Sequence, residues 1–155
     1  MHRFSASTAS EAVVAADRKA IWGALTDPAV LTDLTPLLRG IEADGDLWRW
    51  EMSRVNVLGI VVDPTFTERM RFTEGQRIDY THEPPAGVRE WAGAEGWYVL
   101  RDVPGGTHLS IELTLSVDLP LTRIAAPAVE TVVRSAMAVT GSRFATRLER
   151  HLGVA

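Results

Sequence analysis

The chain contains no cysteine in its 155 residues. This absence excludes disulfide bonds, thiolate nucleophiles, and zinc or iron–sulfur sites held by cysteine. The four histidines, at positions 2, 82, 108 and 151, lack the spacing of a metal-binding motif. Ser110 lacks the context of a nucleophile elbow, and Gly105-Gly106 precedes a strand-like run rather than a helix. We therefore expect no metal, no cofactor, no hydrolase triad and no phosphate-binding loop.

Positive charge and long apolar runs are also scarce. The net charge of -4 and the pI near 5.5 argue against a surface for nucleic acid or anionic membranes. No apolar run approaches the roughly 18 residues that a membrane span needs. The first residues, Met1 to Ser5, lack the continuous apolar segment that secretion requires, so a cytoplasmic location is expected. Residues 1–155 suit a single domain, either a monomer or a homodimer.

The first quarter of the chain predicts one strand and two short helices. Residues 4–15 are typical of an extended strand. Asp17 is a suitable N-cap for a helix over 17–26, and Asp27-Pro28 provides a capping residue and a first-turn proline for a second helix. Pro36 ends that second helix.

From Leu37 the apolar residues alternate with a period of two. Residues 37–43 and 47–52 flank Asp44-Gly45 and predict a hairpin. Further strands are predicted over 65–72, 77–83, 91–102 and 107–119, and Pro104-Gly105-Gly106 is the turn between the last two. The Val55–Val62 stretch is apolar and predicts another strand or a sheet edge. Such short connections favour an antiparallel meander, because parallel strands require crossover segments.

Between about 121 and 152 the apolar period returns to 3.6, which predicts one long helix ended by Gly153. The predicted buried stripe of this helix is Val129, Val133, Ala136, Thr140, Phe144 and Leu148. The expected fold class is α+β, with a long helix lying on a curved antiparallel sheet of about six or seven strands.

Four segments resemble the START-like (SRPBCC) superfamily, which includes bacterial polyketide cyclases/dehydrases and lipid-transport proteins. They are residues 15–28 with their Asp27-Pro28 step, residues 37–50 with the Asp44-Gly45-Asp46 turn, the Gly96–Leu100 and Gly105–Thr107 hairpin, and the terminal helix. This resemblance implies a helix-grip fold, in which the sheet wraps around the helix and encloses an apolar cavity. It also implies that Val55–Val62 can flank the mouth of that cavity.

Strand alternation places three polar residues on a face that is otherwise apolar. Glu68 shares its face with Phe66, Met70 and Phe72, and Tyr80 and His82 share theirs with Ile78. A filled core excludes an unpaired carboxylate, whereas a cavity that holds a polar ligand end tolerates one.

Each of these residues also has a purely structural interpretation. Glu68 can pair with Arg143 or Arg147 on the long helix, and Tyr80 can combine packing with a hydroxyl hydrogen bond. His82 lies near a strand end and can be solvent-accessible. The tryptophans can be ordinary core residues.

Two functional hypotheses follow, with a partner-regulating domain as a third that no exposed apolar motif supports. The first is binding of a hydrophobic, polyketide- or lipid-like molecule in a cavity of roughly 300–1,000 Å³ lined by Trp50 and Trp97. The second is a polyketide cyclase or aromatase, with Glu68, Tyr80 and His82 as catalytic acid/base candidates. The residues expected to contact the ligand are Trp48, Trp50, Met52, Phe66, Met70, Trp97, Ile111, Thr140 and Phe144.

Overall fold

The computed structural model describes residues 1–154. The strands are β1 (His2–Val14), β2 (Leu38–Asp44), β3 (Leu47–Met52), β4 (Val55–Val57), β5 (Ile60–Val62), β6 (Thr65–Thr73), β7 (Arg77–His82), β8 (Ala92–Val103) and β9 (Gly106–Leu119). The helices are α1 (Arg18–Leu25), α2 (Pro28–Leu34) and α3 (Ala126–Leu152), and a short 3-10 turn (Arg123–Ala125) precedes α3.

The two short helices begin where the capping residues predict. The Asp17 carboxylate accepts a hydrogen bond from the Ala20 backbone N–H at 2.7 Å, and the Asp27 carboxylate accepts from Ala29 at 3.0 Å. Pro28 occupies the first turn of α2, where its missing N–H costs nothing. Both helix starts predicted from the sequence are confirmed.

Seven strands form one antiparallel sheet in the order β1-β9-β8-β7-β6-β3-β2. β1 and β2 lie at opposite edges, so the chain between them, which contains α1 and α2, passes from one edge to the other. β4 and β5 form a separate hairpin in the predicted Val55–Val62 stretch. The predicted α+β helix-grip arrangement is confirmed.

The long helix is continuous for 27 residues and ends at Gly153, which adopts the left-handed conformation with φ 73°. One predicted member of its buried stripe is wrong. Ala136 is exposed and Met137 is buried instead, because the stripe drifts by one position between Val129 and Leu148. None of the helices in residues 1–154 is long and apolar enough to cross a membrane.

The two ends of α3 are anchored in separate core clusters. Near its C-terminus, Leu148 packs with Ile21, Leu25 and Leu31 from the two short helices. Near its N-terminus, Val129 packs in a second cluster whose other buried members are Phe4, Val57 and Leu119. The two anchors are about 28 Å apart along the helix. Between them, Met137 is the buried residue of α3.

Candidate functional site

Glu68 lies at the centre of the sheet surface that faces α3, called the inner face below. Its direct cross-strand partners are Trp48 on β3 and His82 on β7. Phe66 and Met70 flank it along β6 and are buried on the same face. The predicted inward position of this carboxyl is therefore present in the structure, with only 3% of the residue exposed.

No residue of the described chain neutralises the Glu68 carboxyl. Neither Arg143 nor Arg147 forms an ion pair with it; Arg147 instead donates to the Asp33 carbonyl at 3.4 Å. The structural ion-pair alternative is therefore not present in residues 1–154. Desolvation raises the pKa of Glu68 well above its usual value of 4.5, because burial disfavours the charged form.

The indole N–H of Trp50 is the second unsatisfied group of the inner face. The Trp50 N–H favours the charged form of Glu68 and so opposes part of the rise in the pKa of Glu68. The two groups nevertheless do not reach hydrogen-bonding geometry, and Trp50 Nε1 is fully enclosed without an acceptor among the described residues. A buried donor without an acceptor carries a desolvation cost of about 1–3 kcal/mol.

The Tyr80 hydroxyl is already committed within the protein. It donates to the Glu112 carbonyl at 3.0 Å, which matches the predicted combination of packing and hydrogen bonding. This position requires glycine at 96, opposite Tyr80 on β8, because a Cβ there would lie 2.7 Å from the Tyr80 hydroxyl oxygen. Burial raises the pKa of Tyr80 well above its usual value of 10.0.

His82 is mostly enclosed, so the prediction that it is solvent-accessible is wrong. Its side chain is 10% exposed, and its Nε2 lies 2.9 Å from a carboxylate oxygen of Glu90. Glu90 also accepts two hydrogen bonds of 2.8 Å from Thr67, one from the backbone N–H and one from the hydroxyl. Gly93 leaves room for the imidazole, because a Cβ there would lie 2.7 Å from its Cγ.

Apolar side chains at the middle of the inner face are not fully covered. Ile111, Leu113 and Leu115 of β9 are each only half-buried, although β9 is paired on both sides, with β1 and with β8. Tyr98 is half-buried as well, yet it lies deep enough that desolvation raises the pKa of its phenol. Its hydroxyl has no hydrogen-bond partner in the described chain. The partly exposed surface that these residues form between the two anchors of α3 is called the inner cleft below.

Most of the predicted ligand-contacting residues lie on the inner face or on the side of α3 that turns toward it. Trp50 stacks on Phe66 with ring centroids 6.4 Å apart, and Trp48 lies 6.4 Å from Trp50. The remaining members in these positions are Met52, Met70, Ile111, Thr140 and Phe144. Whether they contact a ligand remains a prediction.

The expected position of Trp97 is wrong. Its cross-strand partners are Asp79 and Glu112, which belong to the outer face, and the Arg77 guanidinium lies 5.2 Å from its ring centroid. The cation–π contact provides this tryptophan with a favourable site outside the core. The inner positions of β8 are instead occupied by small residues and by Tyr98.

Two surface depressions lie near this region, and neither is lined by Trp50 or Trp97. One of about 390 Å³ lies between the α2–β2 connection and α3 and is bordered by Leu37, Val139, Thr140 and Arg143. The other, of about 470 Å³, lies around Pro64, Glu90 and Trp91. The first includes Thr140, one of the predicted ligand-contacting residues.

Two functional candidates escaped the sequence analysis. Tyr98 was noticed only within the hairpin motif, although its alternation with Gly96 and Leu100 would have placed it inward. Glu90 gave no local signal, because its partners Thr67 and His82 lie on strands far from it in the sequence.

No protein-family model matches the chain, and no curated protein matches its sequence. Solved structures do match it. A protein from Thermus thermophilus has a TM-score of 0.68 at 16% identity, covering 94% of this chain and 96% of that chain. A START superfamily protein from Mycobacterium smegmatis has a TM-score of 0.64 at 18% identity, covering 96% of this chain and 97% of that one.

A third match is the di-domain ARO/CYC from the steffimycin biosynthetic pathway, with a TM-score of 0.66 at 12% identity. It covers 97% of this chain and 51% of that chain, so this chain corresponds in length to half of the di-domain protein. Similarity at such low identity reports on the fold alone. The chain has the START-like helix-grip fold.

Proposed function

We propose that this chain binds a largely apolar small molecule in the inner cleft. The observation that carries the proposal is the half-buried apolar surface of Ile111, Leu113 and Leu115 on β9, a strand that is paired on both sides within the sheet. Apolar side chains in a filled core are covered completely, whereas a ligand would cover these on binding. The fold similarity to START and ARO/CYC proteins supports the same proposal.

The polar groups of the inner face favour binding over the cyclase hypothesis. A cyclase needs several acid/base groups free to act on one substrate. The Tyr80 hydroxyl already donates to Glu112, and the His82 Nε2 is occupied by Glu90. Of the three catalytic candidates, Glu68 alone presents a carboxyl without a partner in the described chain. One free acid suits the recognition of a ligand's polar end.

Binding can be tested with the neutral fluorescent probe N-phenylnaphthylamine and a variant that fills the cleft. Leu113→Trp adds bulk to the inner cleft, and Glu112→Trp adds the same side chain to the outer face of the same strand. We expect the probe to bind the wild type with one-to-one stoichiometry. Leu113→Trp should weaken probe binding about tenfold or more, and Glu112→Trp should leave it unchanged.

The stability of the same variants separates a hollow interior from a filled one. If the cleft is open, Leu113→Trp should change the free energy of unfolding by less than about 1 kcal/mol. If the interior is already filled, overpacking should cost about 1–3 kcal/mol and the wild type should bind no probe. That second result would refute the proposed function.

A further inference from the structure

Glu68 is an acid without a base on a surface rich in aromatic rings. Among residues 1–154, no arginine or lysine forms an ion pair with its carboxyl. The residue directly opposite on β7 is His82, and its Nε2 lies against Glu90. A buried carboxyl in this position remains costly to ionise until a cation reaches it.

Trp50 carries a buried hydrogen-bond donor that has no partner in the part of the chain that the structure describes. Its enclosed N–H needs an acceptor, and it favours the charged form of Glu68. An ionised carboxylate is a stronger acceptor than a neutral acid, and a tryptophan N–H can only donate. A cation placed on the other side of Glu68 would therefore help to satisfy both groups, because the carboxylate would accept from the cation and from Trp50.

The rings around Glu68 also suit a positive charge. Trp48 is its cross-strand neighbour on β3, and Trp50 and Phe66 stack beside it. On the other side, the Tyr80 and Tyr98 rings lie 5.6 Å apart. The faces of such rings attract a cation, more strongly where water is excluded.

We infer that the polar end of the ligand is a protonated amine, which binds between the Glu68 carboxylate and the aromatic rings of β3, β6 and β7. The inference rests on the proposed function and specifies the class of ligand. A neutral ketone would accept a hydrogen bond from protonated Glu68 and would leave the Trp50 N–H only the acid's carbonyl oxygen, a weaker acceptor than a carboxylate. A protonated amine would pair with the Glu68 carboxylate, which could then also accept a hydrogen bond from the Trp50 N–H.

The release of protons when the amine binds is a measurable consequence of this inference. Burial raises the pKa of Glu68 and so favours its protonated form in the free protein, whereas the ion pair requires its carboxylate, so binding should release protons. The other titratable groups that face Glu68 are His82 and Tyr80 on β7 and Tyr98 on β8. The buried residues of α3 are Val129, Met137 and Leu148, none of which titrates. An alkylamine, with a pKa of about 10, stays protonated throughout.

The experiment compares three probes with one carbon skeleton: phenylbutylamine, phenylbutanol and phenylbutanoate. Each competes with N-phenylnaphthylamine for the wild type, for Glu68→Gln, and for Glu95→Gln as an exposed control on the outer side of β8. In the wild type and in Glu95→Gln, we expect the amine to bind about 10- to 100-fold more tightly than the alcohol, and the acid to bind most weakly. Glu68→Gln should remove the preference for the amine and leave binding of the alcohol unchanged.

Calorimetry of amine binding in two buffers of different ionisation enthalpy measures the proton. The wild type should release protons on binding the amine, and Glu68→Gln should release none. The inference is wrong if the alcohol binds as tightly as the amine, or if the preference for the amine survives in Glu68→Gln. If N-phenylnaphthylamine does not bind either, the proposed function itself fails, and the two failures are distinguishable.

Discussion

At the scale of single residues, the unusual feature of this protein is a carboxyl that the fold buries without a partner. Glu68 is 3% exposed and lies among Trp48, Phe66 and Met70. Burying a carboxyl without a partner lowers the stability of the folded state, and such costs are found at functional sites. The structure contains no compensating charge in residues 1–154, and the proposed amine ligand would supply one.

The stability of Glu68→Gln should therefore depend on pH in a defined direction. The folded-state pKa of Glu68 is raised above its unfolded value of about 4.5, so the proton is held more tightly in the folded state. The resulting stabilisation is complete below pH 4.5 and is lost as the pH rises through the raised pKa. Glutamine does not titrate. Relative to the wild type, the variant should gain stability between pH 5 and pH 7.5, at most about 1.4 kcal/mol per pH unit.

Urea unfolding of both proteins at pH 5 and pH 7.5 measures this gain. A variant that is neutral or slightly stabilised at pH 7.5 supports an unpaired acid. A loss of about 3–5 kcal/mol confined to pH 7.5 would contradict it, because that is the cost of breaking a buried ion pair.

Which single residues were predictable depended on the contrast within their own strand. Glu68 stood out because its neighbours on the same face are Phe66 and Met70. Trp97 misled the prediction because a large apolar residue favours an inward position unless a cation such as Arg77 covers it outside. Contacts between strands determine which face of the sheet such a residue occupies, and a single sequence does not specify those contacts.

At the scale of elements, Glu90 links the β7–β8 connection to the sheet through hydrogen bonds beside the candidate site. Its carboxylate accepts from the Thr67 backbone, the Thr67 hydroxyl and His82. All three donors are buried or mostly enclosed, and hydrogen bonds to a buried carboxylate are stronger than neutral ones. This anchor fixes the side chain of His82, whose backbone lies opposite Glu68.

Removing that anchor should be costly. Glu90→Ala leaves three donors without their acceptor and should lower the free energy of unfolding by about 2–4 kcal/mol. The matched control is Glu83→Ala, whose exposed ion pair with Arg69 at 2.6 Å should contribute no more than about 1 kcal/mol. Urea unfolding at pH 7 compares the two. Equal losses would show that the Glu90 contacts do not anchor the connection.

The elements themselves were predicted well because their signals are local. The Asp17 and Asp27 caps, the Asp44-Gly45 turn and Gly153 each act within a few residues. The inward positions of β8 were harder to assign, because Ala92, Ala94 and Gly96 have little hydrophobic contrast. Gly96 leaves room for Tyr80 there, a reason that becomes visible only when the strands are paired.

At the scale of the whole molecule, α3 is held at its ends and is covered less in its middle. Leu148 and Val129 are buried in separate clusters, whereas Thr140 and Phe144 are half-buried. Local stability follows the density of buried contacts. The middle of α3 is therefore expected to open more readily than the β1–β9 pair, whose strands are hydrogen-bonded over their full length.

A ligand in the inner cleft should raise the local stability of the middle of α3. At a probe concentration about 100-fold above the dissociation constant, N-phenylnaphthylamine should raise the free energy of unfolding by about 2.7 kcal/mol. Beyond this uniform increase, hydrogen exchange should slow further across residues 133–144, because the ligand covers Thr140 and Phe144 together with the inner face. Leu113→Trp should show neither effect. If hydrogen exchange slows around Pro64 and Trp91 instead, the ligand lies in the depression that these two residues border. The inner cleft would then not be the binding site.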